Sequence, residues 1–563
     1  MRTYILALSK YAMTAGMLLY TVLAFIQMRR TGKKKSNAAD AVMIFLLFVV
    51  HSAAFLTIYA ATMDPRYVFF WLFQTVTMAA AIVLFGTIYP QSNKTLYINV
   101  CMLLSIGLII ITRLSYEKAV RQYVIASVGL FLGIAIPALM KKVRYLKNLT
   151  YIYAATGAAA LLVVLLLGQV TQGSKLSYSV FGVSMQPSEF VKILFIFYLA
   201  SAYYESADIR HVFITGVISA AHVIILVMSN DLGTALVFFV AYVFMTFLAS
   251  GRWQYLLAGA AIGLAGSYAG YHLFSHVQVR VQAWRDPWSV IDSMGYQITQ
   301  SLFSISNGGL FGAGLMQGTP DKIPYAASDF IFAAICEEMG LIFAFSMIAL
   351  CLVCFLDILW ISLNFADRFY RFTAFGFAVV YIFQIFLTVG GEIKFIPLTG
   401  VTLPLVSYGG SSVLSTIIQF AIIEAIYIMQ QDRIKSFEDR FEREERERRR
   451  RTRERRGMAD HEKTGRIRQL REQVKRSGYT DNRYDRYDTP EIRKKAAPKS
   501  GGDKETEFID DRTNTDMTED ETANEDAYET GGWDPELDDI DLNDYKEINY
   551  DPGNDGQKEH HGK

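Results

Sequence analysis

Apolar residues run in blocks of roughly 18 to 25 through most of this chain, the length a helix needs to cross a bilayer. They predict spans at about 4–28, 41–62, 67–88, 96–113, 121–140, 149–168, 188–204, 210–229, 231–250, 254–275, 328–359, 368–390 and 401–430, about 13 in all. The segments between them carry a charge bias. RRTGKKK (29–35), KKVRYLK (141–147), GRW (251–253), ADRFYR (366–371) and the Arg-rich stretch after 432 all fall on one side if every span is real. By the positive-inside rule that side is the cytoplasm, which predicts an outer N-terminus and an inner C-terminus. The longest outer loop is then 276–327, rich in Gly, Gln, Ser and aromatics, and long ordered loops tend to carry function.

Composition divides what the apolar pattern leaves. Of the 563 residues, those up to 431, those from 432 to 500 and those from 501 onward carry net charges of about +9, +9 and −17, so the overall +1 says nothing about partners. The basic segment DRIKSFEDRFEREERERRRRTRERR predicts a charged helix with i,i+4 pairs that also suits anionic inner-leaflet lipid. The acidic end, poor in apolar residues, predicts disorder. Four cysteines, all in apolar blocks, make no disulfide framework, and the CxxC of Cys351 and Cys354 reads as packing. The first block is followed by MRR and lacks a small-residue cleavage site, so it reads as a retained span.

Charged residues inside apolar helices are expensive and usually functional. On the predicted topology they gather on the outer side. Arg121 opens one span. QPSEFVKI (186–193) opens another, with Pro187 suited to a first helical turn and Glu189 and Lys192 three apart on one face. SNDLGTA (229–235) is an outer turn with Asp231 at its tip, Asp329 begins the 328–359 span, and PLTGVTLPLVSYGGSS (397–412) is a Pro- and Gly-rich segment entering the last one. Irregular backbone at membrane depth is tolerated where it lines a protein cavity, so an outward polar cavity is expected. Each member also has a plainer reading: Glu189 and Lys192 can neutralise each other, and Asp231 and Asp329 can each cap a helix. Glu337 and Glu338, about 12 Å below Asp329 at ~1.5 Å per residue, read as internal ion pairs or hydrogen-bond anchors. His51 and His222 read as satisfied core residues. His272 and His276, spaced i,i+4 with no carboxylate nearby in sequence, read as structural rather than metal ligands.

QPSEFVK, DLGTA, YQITQSLFSISNGGLFGAGL, SDFIFAAICEEMG and PLTGVTLPLVSYGGSS, in this order over about residues 96 to 431, resemble the SEDS family, which includes FtsW, RodA and SpoVE. The resemblance implies an all-α, polytopic membrane helical bundle. It has a ten-span SEDS-like catalytic core (96–431), about three extra N-terminal spans (1–95), a basic juxtamembrane cytoplasmic segment (432–500) and an acidic disordered tail (501–563). It implies a peptidoglycan glycosyltransferase of the bacterial cytoplasmic membrane, serving elongation, division or sporulation. Lipid II would be the substrate, a class B penicillin-binding protein (the transpeptidase) and other division or elongation proteins the partners, and nucleic acid none of them. The family's key acid matches Asp329.

In that chemistry an acceptor hydroxyl attacks an anomeric carbon as a pyrophosphate lipid leaves, with inversion. Asp329 would serve as base. Lys192 and Arg121 would meet the diphosphate, with Glu189 orienting Lys192. Substrate contacts are expected at Gln186, Ser188, Asp231, Ser407, Tyr408, Gly409, Gly410 and Ser411. The cofactor is unassigned, with a divalent cation left open. The chain departs from the family in lacking a Trp in QGSKLSYSVFGVSMQPSE, which has Lys175, and in having Asn230 where a Pro usually precedes Asp-Leu-Gly-Thr. A lipid II flippase and a non-catalytic scaffold are the competing readings; the gathering of polar groups on one face argues against the first.

Overall fold

The computed structural model describes residues 2–29, 37–143, 145–171, 174–180, 183–293 and 295–476. The RRTGKKK loop beyond Arg29 and the acidic tail fall outside these described residues. The first unit, residues 1–459, is a bundle of long helices. Three open the chain: α1 (Arg2–Arg29), α2 (Asn37–Thr62) and α3 (Arg66–Ile88). The next seven are α4 (Lys94–Leu114), α5 (Tyr116–Lys142), α6 (Thr150–Leu167), α7 (Pro187–Glu205), α8 (Ile209–Met228), α9 (Leu232–Ser250) and α10 (Gln254–Leu273). After two shorter helices, α11 (Ser275–Arg285) and α12 (Tyr296–Gly308), come α13 (Ile331–Leu363), α14 (Arg368–Glu392) and α15 (Gly410–Arg476). The second unit begins at residue 460, and its described part, 460–476, is exposed helix.

Among the described residues, 11 helices are long and apolar enough to cross a membrane, as befits a multi-pass membrane protein. The other two predicted spans form as α7 and α10. α7 is diluted by Glu189, Lys192 and Glu205, and α10 by its Gly, Tyr, Gln, Ser and His residues. The last predicted span starts later than its apolar pattern suggests. Residues 397–409, with two prolines, stay irregular, and the helix begins at Gly410. Its charged continuation is helical, with i,i+4 pairs such as Arg449–Glu445 at 2.6 Å. Between α6 and α7 lies a small antiparallel sheet absent from the expectation: β1 (Gln169–Thr171), β2 (Ser174–Val180) and β3 (Val183–Met185), in that order.

α4 is the central helix, enclosed along the whole of its apolar stretch. Polar stitches bind α1 and α2 to it and to each other. Tyr20 donates to Asn99 Oδ1 at 3.0 Å, Gln27 and Thr95 both donate to Asp40 Oδ1 at 3.0 Å, and His51 Nδ1 meets Ser105 Oγ at 2.8 Å. In a lipid setting such bonds supply association that apolar burial cannot, because lipid is as apolar as the helix. His222 is likewise a core residue, its Nδ1 2.9 Å from Ile218 O, and the four cysteines are buried and free.

The 328–359 block is not one continuous helix. α13 breaks at Gly340 (φ 87°, ψ 167°), and the segment before it repairs the break. Ala313 N donates to Glu337 O (2.8 Å) and Gly314 N to Glu338 O (2.9 Å), while Leu341 N and Ile342 N donate to Gly309 O (2.9 Å) and Leu310 O (3.1 Å). Backbone groups inside a bilayer must be paired within the protein, and this segment pairs those the break releases. A Cβ at Gly340 would lie 2.3 Å from Gly312 N, so the close approach requires glycine there.

Glu337 and Glu338 flank that break and hold the segment's far end. Glu338 pairs with Arg113 Nε at 2.8 Å, and Arg113 also donates to Gly318 O. Glu337 Oε1 accepts from Thr319 N at 2.7 Å. They are anchors, as the sequence suggested.

Candidate functional site

Asp329 lies in the turn before α13, partly buried, with its backbone N–H donating to Tyr325 O. It does not cap the helix. The N-cap residue is Phe330, and Glu392, at the end of α14, receives Ala333 N (2.8 Å) and Phe332 N (3.4 Å) instead. A carboxylate at a helix N-terminus satisfies orphan donors and meets the positive end of the helix dipole. With Glu392 in that place, the Asp329 carboxylate is left for something else.

Arg280 faces it, a residue the sequence reading passed over. α11 lays Arg280 against the irregular segment, where Nη1 donates to Leu398 O (3.2 Å) and Thr399 O (3.0 Å); Trp284 fixes the same helix to Lys394 O at 3.2 Å. A methyl group on Gly400 (φ 74°) would sit 3.9 Å from Arg280 Nη2 and 4.0 Å from Asp329 Oδ2. The glycine therefore leaves open the space between cation and carboxylate. Burial pushes the Asp329 carboxyl above its ordinary range, with the Ser328 hydroxyl and the Arg280 charge holding it back. Burial draws Arg280 down, and the charges of Asp329 and Asp231 hold it up.

Asp231 caps α9 and also bonds the start of α7. Oδ1 accepts from Thr234 N at 3.1 Å, while Oδ2 accepts from Ser188 Oγ (3.2 Å) and Gln186 Nε2 (3.3 Å). Burial raises its carboxyl, and the bonds from Thr234 oppose that. Two residues on, Gly233 lies so near the irregular segment that a Cβ would be 3.1 Å from Thr399 O. Glu189 and Lys192 form a buried pair at 2.7 Å, with Ser415 Oγ donating to Glu189 at 3.0 Å.

The SYGGSS stretch builds the walls. Ser411 Oγ accepts from Gln186 N at 2.9 Å. Ser407 Oγ donates to Ser328 O, and Tyr408 N donates to Ala327 O at 2.7 Å, which fixes the two residues before Asp329. Gln122 of α5 donates to Ser407 O (2.9 Å) and accepts from Gly409 N (3.2 Å). Gly410 presses on Ile125, where a Cβ would come within 2.6 Å. These residues act chiefly through backbone and hydroxyl bonds that place Asp329. Arg121 stands apart, exposed and paired with Glu117 at 2.6 Å; among the described residues no hydrogen bond ties it to Asp329, Asp231 or Lys192.

Of the predicted site, then, Gln186, Ser188, Glu189, Lys192, Asp231, Asp329 and the 407–411 run meet, and Arg121 does not join them. Arg280, Glu392 and Gln122 were missed. A charge in HVQVRVQAW and an acid closing an apolar block (GGEIKF) were the available signals. Among the described residues no three His, Cys, Asp or Glu side chains gather as metal ligands.

Residues 94–432 match the family of cell cycle proteins FtsW/RodA/SpoVE. The chain is 33% identical over 366 residues to the peptidoglycan glycosyltransferase RodA of Mycobacterium leprae (strain TN), covering 60% of this chain and 78% of that one. It is 35% identical over 258 residues to stage V sporulation protein E of Bacillus subtilis (strain 168), covering 44% and 69%. A solved chain from work on structural coordination of polymerization and crosslinking by a peptidoglycan synthase complex shares the fold. Its TM-score is 0.52 at 24% identity, over 60% of this chain and 97% of that one.

Proposed function

The chain belongs to the FtsW/RodA/SpoVE family, and from that premise we propose that it is a peptidoglycan glycosyltransferase that polymerises lipid II into glycan strands. The observation that carries the reading is an Asp329 carboxylate relieved of helix capping and set across the Gly400 gap from Arg280.

Asp329 takes the proton of the acceptor hydroxyl as that oxygen attacks the anomeric carbon. Burial raises its proton affinity above that of an ordinary carboxylate, which makes it a stronger base. The bond to the diphosphate breaks on the opposite face, so the centre inverts. Arg280, a planar donor already oriented by two carbonyls, offers charge to the departing diphosphate. Lys192, buried beside Glu189, is the second cation proposed to meet the diphosphate. A divalent cation, were one bound, would draw on the Asp231 carboxylate and on substrate oxygens, and would supply charge to the leaving diphosphate.

The site opens to the outer side of the cytoplasmic membrane, with the charged C-terminal helix in the cytoplasm. Five basic segments agree on that orientation. A class B penicillin-binding protein that cross-links the strand is the proposed partner.

The test is polymerisation of purified lipid II by wild type and Asp329→Asn, with the cognate transpeptidase present. Loss of polymer by about 100-fold or more in a folded mutant supports the base assignment. Equal polymer from both removes Asp329 from its role, and none from wild type removes the activity.

A further inference from the structure

Lys10 is the one charged residue between Tyr4 and Met28, in a helix of membrane length, where a charge needs a partner. Its partner lies 302 residues away: Lys10 Nζ donates to Gly312 O at 3.0 Å. The contact is returned, since Gln317 Nε2 donates to Leu6 O at 3.0 Å, and the ring of Tyr11 packs on that of Phe311 at 5.4 Å between centroids. Farther along α1, Thr21 Oγ1 donates to Ser346 O at 3.1 Å, beyond the break in α13. α1 thus touches the repair segment with one end and the inner half of the broken helix with the other.

We infer that α1 is a splint for the catalytic loop, with Lys10 as a positioning residue that fixes segment 309–319 and, through it, Asp329. The inference rests on the polymerase reading of the site. Gly312 is next to the residues that pair with Glu337 O and Glu338 O. The segment then passes Gly318 and Thr319, held by Arg113 and Glu337, and ten residues later reaches Asp329. The family match begins at residue 94, so this chain carries its splint as an addition outside the matched core.

The test uses the full chain with its transpeptidase and compares Lys10→Met, which keeps the stem and loses the donor, with Lys10→Arg, which keeps a donor. Lipid II kinetics are read beside hydrogen exchange of the amides at 311–318. Lys10→Met should lower kcat about fivefold or more at unchanged KM and speed that exchange about tenfold, given the strength of a charged donor's bond. Lys10→Arg should restore most of both, and Gln317→Leu, on the other side of the contact, should act like Lys10→Met. Unchanged exchange overturns the splint, and faster exchange with unchanged kcat overturns its positioning role. Wild type without polymer sinks the polymerase reading instead, and exchange alone then decides whether α1 holds the loop.

Discussion

Glu392 accepts the backbone N–H of Ala333 at 2.8 Å, and by taking the start of α13 it relieves Asp329 of capping that helix. One carboxylate is structural and buried, and the other faces Arg280.

Glu392→Ala should leave two buried N–H groups unpaired and lower stability by about 1–3 kcal/mol per lost acceptor. Glu392→Gln keeps an acceptor and should cost less. Thermal melting in one detergent checks the order, and equal melting temperatures would refute the cap.

Arg280→Lys should lose the planar guanidinium that Nη1 fixes to Leu398 O and Thr399 O and slow polymerisation by roughly 10-fold, with Arg280→Ala slower still, as for other preorganised donors. Gly400→Ala, strained at φ 74° and filling the gap, should act in the same direction without removing a charge. Initial rates on lipid II give the ranking.

The pH profile should carry the mark of Asp329. A base acts deprotonated, so activity rises with pH as Asp329 loses its proton, and burial sets that rise above the ordinary value of 3.8. Arg280→Gln removes a cation that favours the carboxylate, so the rise should move to higher pH. A profile that does not move, or moves down, contradicts the pairing.

Breaking the buried Glu189–Lys192 pair from one side should be worse for stability than removing both charges. Glu189→Gln alone leaves an uncompensated buried ammonium, at a cost on the order of 3–5 kcal/mol, and Glu189→Gln with Lys192→Met should recover much of it. The double variant should nevertheless stay slow on lipid II if Lys192 meets the diphosphate, which separates packing from catalysis.

The membrane helices were legible because their apolar blocks end in charges or Pro turns, as at Lys94, Arg113, Asp367 and Pro65. The gathering of Asp231, Gln186, Ser188 and Asp329 was legible through the predicted sidedness of their loops. The break at Gly340 was not, because a lone glycine in a helix shows its purpose only beside a segment about thirty residues earlier. Arg280 was hidden because its role depends on two carbonyls at 398 and 399, over a hundred residues on. The alternation LSYSV (176–180) could have revealed β2, but it is short and sits between much stronger apolar signals.

The repair of α13 also sets an order of biogenesis. The ribosome delivers residues 309–314 before 337–342, so the broken helix can close its backbone as soon as it leaves the translocon. The carbonyls of Leu398 and Thr399, and the Ser407 and Tyr408 bonds that fix the residues before Asp329, arrive only after α14. The nascent chain therefore meets the partners that repair α13 before those that place Asp329 and Arg280, which come among the last residues of the membrane bundle to be made.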